Sequence, residues 1–502
     1  MHSVRSLRFP AVRLGLLTLG ALAVSGYHLG VEDGEIYVPA ARKLLHPGLY
    51  PYATEFFRSH ARLSLFAPLL AASARLSHLS LDWAAFLWYL ITLFATLAAC
   101  WLLAAVSFTS ERARWCAVLV MAAVMTMPAT NTALLLIDPY VTARSFSTPL
   151  TLFGLVALLR GRMWLAALLT LVTASIHPQM AAYLVFLAVV LAICDRQKRR
   201  TPTREMVAVP AVMLGLPLGF HLGPATQPYR EALYSRDFFF LSTWTWYHWL
   251  GMLAPLGFLW WFARGRLRGT TPAFARISLA LIPFGVISII AAAIFSSSHD
   301  FDMFERLQPL RTFHLITCVF ILFLAGVIGE YLAEKRMWVI PALVLPLAAG
   351  MFFVQRATFP DSQHIEWPWQ KTSPNDWVNA LLWIRQNTPQ NAVFAVDSRY
   401  FLDPGVDAHG FRAIAGRAAL ADYFKDGGAV SIFPVLAPEW KKMTNDTYGL
   451  NHFTLSDFEH LASEYPVDWT IIRGPAPAGM QCPYEQRGYS VCRIPQSSKP
   501  AA

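Results

Sequence analysis

Residues 31–52 read VEDGEIYVPAARKLLHPGLYPY and follow directly on the first long apolar segment. The stretch opens with three acids, Glu32, Asp33 and Glu35, and continues through Arg42 and Lys43 to Pro47, Tyr50, Pro51 and Tyr52. Acids placed where a chain leaves a bilayer are costly to desolvate, so they face water or a polar cavity. The reading of this loop depends on which side of a membrane it lies, and the rest of the chain decides that.

The chain of 502 residues is 55% hydrophobic and only 14% charged. A soluble protein of this length carries more charge, so the composition predicts a polytopic membrane protein. The net charge of +10 does not point to nucleic acid. Its basic residues sit in short clusters between apolar runs, the arrangement that sets membrane topology.

Arg5, Arg8 and Arg13 precede the first apolar run, residues 10–29. This places the amino end in the cytoplasm and the acidic loop, residues 30–62, outside. No small-residue cleavage site is evident, so the first run reads as a retained helix. Residues 63–79 are apolar but contain Pro68, Arg75 and His78, and read as a helix lying at the outer interface. Spans are then expected at residues 83–108, 115–137, 150–159, 164–176, 180–194, 206–222, 246–262, 277–295, 313–331 and 337–354. The two short runs at 150–176 form either a full or a half-depth hairpin. The count is about 11 crossings, each cytoplasmic turn being basic and the outer loops mixing acids with arginines.

The composition turns polar at residue 355. Residues 376–388 read as an amphipathic helix ending before Pro389, 392–397 as a strand, 455–465 as a helix, and 468–473 and 489–494 as strands. The expected architecture is therefore mainly α: a multi-span domain over residues 1–354 and a small extracytoplasmic α/β domain over 355–502. Cys482 and Cys492 flank a hairpin in that tail, which predicts a disulfide if the tail is outside the cytoplasm.

Candidate chemistry concentrates on the outer face. Asp33 and Glu35 are alternatives for a general base, which needs a charged, desolvated cleft. Asp138, in LLLIDPYVTAR, reads as a helix-end cap or as a site acid that could ligate a metal, and is followed by Arg144. Arg311, in LQPLRTF, has the planar donors that suit a phosphate, or else lies at the interface by snorkelling. His177, in SIHPQ, ends an apolar run as either a packed cap or a ligand. No G-x-x-x-x-G-K-[ST], H-E-x-x-H or G-x-S-x-G motif is present, so neither ATP hydrolysis nor a serine-hydrolase or zincin reaction is indicated.

In layout the chain resembles the GT-C superfamily of polytopic glycosyltransferases. The likeness rests on the acidic first outer loop (VEDGEIY), the interfacial helix after it, the short loop DPYVTAR, and a soluble tail opening with WVNALLWIRQNTPQNAVFAVD. It covers nearly the whole chain, through short and degenerate motifs. The resemblance implies an inverting transferase of the inner membrane that takes a sugar from a polyprenyl-phosphate donor in the bilayer to a glycan, lipid or protein acceptor at the extracytoplasmic face. It marks Asp33 or Glu35 as base and Arg311 as phosphate partner. Arg144 and His177 are further substrate-binding candidates, and Asp138 is the candidate ligand of a divalent Mg or Mn ion. The WWDYG signature of oligosaccharyltransferases is absent, since Trp260-Trp261 continues as Phe-Ala-Arg. The alternatives are a non-catalytic lipid or glycan transporter and a membrane assembly protein.

Overall fold

A computed structural model describes residues 10–196, 222–334 and 336–495. The expected span at 206–222, most of the basic run DRQKRR and Arg5, Arg8 and the terminal SSKPAA lie outside these residues.

The chain is mainly helical, with a small sheet near its carboxyl end. Among the described residues, five helices have the length and apolarity to cross a membrane: Leu81–Ser107, Pro178–Asp195, Pro272–Phe295, the end-to-end helical run His299–Tyr331, and Val339–Thr358. Ala11–Ser25, Ala143–Leu159 and Met163–Ile176 are apolar but shorter. Apolar side chains on several of them face outward, among them Leu16, Trp164, Leu171, Ile290, Leu345 and Phe353. That surface suits lipid rather than water.

Fewer helices than the expected 11 crossings thus meet the length criterion, and the reasons are local. The first helix stops at Gly26, whose φ of 72° and whose close approach to the His364 carbonyl (2.4 Å from a built Cβ) both require glycine. The expected span 115–137 is a helix only over Glu111–Ala123. Beyond it the run MPATNTA breaks the helical ladder. Pro128 has no N–H to give, Thr132 bonds the Ala129 carbonyl and Thr130 the His248 carbonyl, and residues 128 and 135 pair as a small irregular bridge. In contrast, the hairpin at 150–176 is longer than its apolar runs suggest. Thr142 and Ser145 form a reciprocal cap, so the first arm begins at Ala143.

The predicted interfacial helix is present as Phe66–Ser77, 12 residues and too short to span. It buries Phe66, Leu70 and Ala74 against the Gly34–Leu45 helix and leaves Leu69 and Leu76 exposed.

The Phe313–Tyr331 helix runs through the core and packs most closely on Glu111–Ala123. Small residues allow that approach. A Cβ on Gly326 would stand 2.3 Å from the Phe108 ring, and one on Gly329 would stand 2.5 Å from Cys116 Cβ.

In the tail, Asn375 caps the helix Asp376–Asn387. Strands β1 (Val393–Ala395), β2 (Ala418–Ala419), β3 (Trp469–Arg473), β4 (Gln481–Gln486) and β5 (Tyr489–Arg493) form one sheet in the order β2-β1-β3-β5-β4. The first three are mutually parallel, and β5 runs antiparallel to both β3 and β4. Cys482 and Cys492 are joined as the expected disulfide across β4 and β5. The compositional boundary at 355 is not a boundary in space. Ile36, Val38, Tyr50 and Phe56 from the first loop share one apolar core with Val430, Leu436 and Trp440 from the tail.

Gly329→Leu is expected to destabilise the protein by at least about 1–3 kcal/mol, the usual cost of overpacking. Thermal unfolding in detergent checks this against Gly257→Leu, where a Cβ meets nothing.

Candidate functional site

The acidic loop separates its acids by exposure. The chain turns at Glu32 into the helix Gly34–Leu45, with Asp33 at the capping position. Asp33 makes no capping hydrogen bond. Its carboxylate points into a crevice and keeps 38% of its side chain open, while Glu35 keeps 1%.

Glu35 is consumed by structure. Its two carboxylate oxygens accept the backbone N–H groups of Arg412 and Ala413, both at 2.8 Å, and one lies 3.2 Å from the Arg412 guanidinium. A Cβ on Gly410 would stand 2.2 Å from the same carboxylate. Both Glu35 oxygens are thus engaged by backbone N–H groups, and its side chain lines a separate small recess with Tyr400, Phe411, Arg412 and Asp422.

Around Asp33 the structure gathers cations. Lys425 Nζ is 3.4 Å away and also pairs with Glu32, while Arg144 Nη1 is 3.7 Å away. Burial alone would raise the Asp33 carboxyl. The fields of Lys425, Arg144, Arg311 and His60 outweigh it and hold the group well below the usual carboxylate range. Arg144 is itself buried and bridges to Asp138 at 2.5 Å. Burial raises the Asp138 carboxyl, with Arg144 opposing.

Arg311 lies in the turn Pro309–Thr312, at the start of a core helix. Its guanidinium stacks near the Phe238 ring at 5.7 Å, and its buried Nε has no partner. It lines a small recess with Thr132, Phe238, Phe239, Glu305 and Gln308. His177 forms the bend between Met163–Ile176 and the helix that starts at Pro178, and its Nδ1 accepts a long hydrogen bond from the Met180 N–H, 3.4 Å. Burial, then the nearby Arg144, His60 and Arg311, push its imidazole down, so it is neutral here.

Three of the residues around Asp33 were not singled out from sequence. Tyr37 follows Asp33 by one helical turn and donates toward, or accepts from, His60 Nε2 at 3.0 Å. His60 lies in the first loop, in a run of arginines and apolar residues that hides it. Lys425 comes from the tail, where YFKDGG carries no pattern that points 392 residues back to Asp33.

Asp138 does not fit the expected role of metal ligand. The Arg144 guanidinium stands between it and Asp33, where a bridging cation would sit. Among the described residues, the only grouping of metal-ligating side chains lies elsewhere, at His28, Glu366 and His409. Asp33, Arg144, His177 and Arg311 are brought together, and Glu35 and Asp138 serve to hold other residues in place.

No model of a known protein family matches the chain, and no protein of curated function matches it.

Behind the crevice, Glu35, Asp422 and Asp426 share the one Arg412 guanidinium, all of them buried. Three carboxylates facing one cation cannot all ionise away from water. Burial raises the Glu35 carboxyl to about 7, with the Arg412 guanidinium and the two backbone N–H groups opposing. Burial, then repulsion from Asp426, raise the Asp422 carboxyl well above its ordinary value. A carboxyl raised on folding binds its proton more tightly in the native state, so its contribution to stability falls as pH rises. Asp426→Asn removes the need for that proton. It is expected to stabilise the protein at pH 8 by about 1–2 kcal/mol and to flatten the pH dependence, read as Tm between pH 5 and pH 8.

Proposed function

We propose that this chain is a membrane glycosyltransferase that moves a sugar from a polyprenyl-phosphate donor to an acceptor hydroxyl at the extracytoplasmic face. The observation that carries the reading is an ionised, partly open Asp33 that feels the field of Arg311, whose buried Nε has no hydrogen-bond partner. A carboxylate that accepts a proton and a fork that holds a phosphate are the two groups such a transfer needs. The GT-C-like layout supports the same reading, as does the absence of any nucleotide-binding loop, since a lipid-linked donor needs none.

In this reading the chain is polytopic, the first helix enters from the cytoplasm, and the tail lies outside. The Cys482–Cys492 disulfide supports an oxidising compartment for the tail. The acceptor hydroxyl approaches Asp33 while Arg311 and Arg144 hold the donor phosphate. The acceptor oxygen forms its bond to the anomeric carbon as the bond to the phosphate oxygen breaks. Its proton passes to Asp33, and the leaving phosphate keeps the electron pair. His177 and His60, both neutral, border the site as hydrogen-bonding groups without adding charge.

The cationic surroundings explain how a strongly acidic carboxyl can serve. In the free protein Lys425, Arg144 and Arg311 lower it. A donor phosphate bound to the arginines cancels part of that field, so Asp33 becomes more basic once the donor is in place.

Asp33→Asn is expected to lower turnover about 10²–10⁴-fold with the protein still folded, whereas Glu35→Gln is expected to lower the yield of folded protein. Turnover of a lipid-linked sugar by purified variants of matched folded content decides this. Full activity in Asp33→Asn removes the proposal. A second measurement is the pH profile. Because Asp33 acts deprotonated, activity falls as pH drops. The acid limb of kcat, which reports the donor-bound enzyme, is expected at higher pH than that of kcat/KM, which reports the free enzyme.

A further inference from the structure

We infer that His28, Glu366 and His409 form a zinc site that fastens the tail to the end of the first helix. The three residues come from three separate places. His28 follows the first helix, Glu366 lies in the connection after Val339–Thr358, and His409 precedes the short helix Phe411–Ala415. One ligand atom from each lies within 4.8 Å of the others. Both histidines are fully buried, and Glu366 keeps 15% of its side chain open.

The hydrogen-bonding pattern leaves room for a cation and little else. His409 Nδ1 donates to the Val406 carbonyl at 3.0 Å. Its Nε2 therefore presents a free electron pair when the ring is neutral. That nitrogen faces Glu366 Oε1 at 2.7 Å. A second orienting bond of this kind is the usual support of a metal-bound imidazole. An imidazolium–carboxylate pair would satisfy His409 and Glu366 but would do nothing for His28. Both His28 ring nitrogens are buried without a partner, Nδ1 lying 3.7 Å from the same Glu366 oxygen. The Phe359 ring covers the imidazole at 3.9 Å, closing it to solvent. One cation between the three atoms would give His28 a partner through one ring nitrogen and join both imidazoles to the Glu366 carboxylate.

Two imidazoles and one carboxylate are a borderline N/O donor set that suits Zn²⁺. Zinc bonds of about 2.0–2.1 Å in a tetrahedron set ligand atoms about 3.3 Å apart. Two of the observed separations, 2.7 and 3.7 Å, straddle that value, and all three ligand atoms lie within 4.8 Å of one another. Glu366 binds through Oε1 alone, because Oε2 accepts the Leu29 N–H at 3.0 Å. The backbone is already tied in place here: Glu366 N–H donates to Tyr27 O and His28 N–H to Pro139 O. The ion would thus join three segments whose backbones are preset, and its role is structural.

The test uses the full-length protein purified in detergent, with any affinity tag removed, and follows metal content by mass spectrometry. The expected result is about one zinc per chain after dialysis against Zn²⁺, lost in His28→Ala, Glu366→Gln and His409→Ala and kept in Asp33→Asn. Chelation should lower Tm in the unmodified protein, and Zn²⁺ should restore it. Cobalt substitution of the unmodified protein tests the site without relying on variants, through the visible absorption of tetrahedral Co²⁺ that Zn²⁺ displaces. Wild-type protein that retains neither zinc nor cobalt, or variants that bind as well as wild type, would overturn the inference. Retention of zinc in an enzyme inactive toward lipid-linked sugars would leave this site standing and count only against the proposed reaction.

Discussion

The buried pairing of Glu35 with the residues around Arg412 is the contact on which the rest of the molecule depends. The short helix Phe411–Ala415 has all its end groups answered from elsewhere. Glu35 accepts the N–H groups at its start. Arg42 and Arg385 donate to the Ala413 and Ile414 carbonyls at its end, at 2.7 and 2.6 Å. The same two arginines converge on Asp82 at the start of the Leu81–Ser107 helix. A negative group at a helix start and positive groups at its end both agree with the helix dipole. A five-residue helix would not persist in water by itself. It forms here because groups from both halves of the chain hold it.

That helix makes the tail part of the site around Asp33. With Glu35 fixed to Arg412, the loop lies against the tail, and Lys425 reaches Glu32 and Asp33. Arg144 enters from the other side with Asp138 behind it. Each cation nearest Asp33 thus has another acid to anchor it, except Arg311. The asymmetry is informative. Structural ions are matched, whereas a guanidinium with an unmet donor at a pocket wall has capacity for an anion that arrives from outside.

The sequence carried the location of the site better than the roles within it. Residues 31–35, Asp138-to-Arg144, His177 and Arg311 all converge, and each sits at the end of an apolar run, which is legible from periodicity and charge. The division of labour between Asp33 and Glu35 was not legible. They are two residues apart, and only the position of Arg412, 377 residues onward, decides which is buried. Tail elements with clear patterns, the helix Asp376–Asn387 and strands β1, β3 and β5, agree with expectation. The two-residue β2 and the helices Lys425–Ile432 and Ala437–Asp446 lacked such patterns. The span expected at 115–137 failed because hydropathy averages over Thr and Pro side chains that redirect backbone hydrogen bonds.

The backbone at the crevice bears the imprint of this convergence. Glu32 adopts φ of 52°, a left-handed conformation that costs a residue with a side chain about 1–2 kcal/mol. Its N–H bonds the Ala408 carbonyl, and Val31 pairs with His409 just before it. The tail therefore holds the loop in a turn it would not take alone. That turn directs Asp33 outward into the crevice and Glu35, two residues on, inward to Arg412. Relaxing Glu32 to an extended conformation would rotate both acids together, moving Asp33 from its cations and Glu35 from its N–H donors. Strain at one residue is sustained because two buried contacts oppose its release. A polar group whose position must not change when a charged ligand arrives is served by such a backbone, since the reorganisation has been completed in folding.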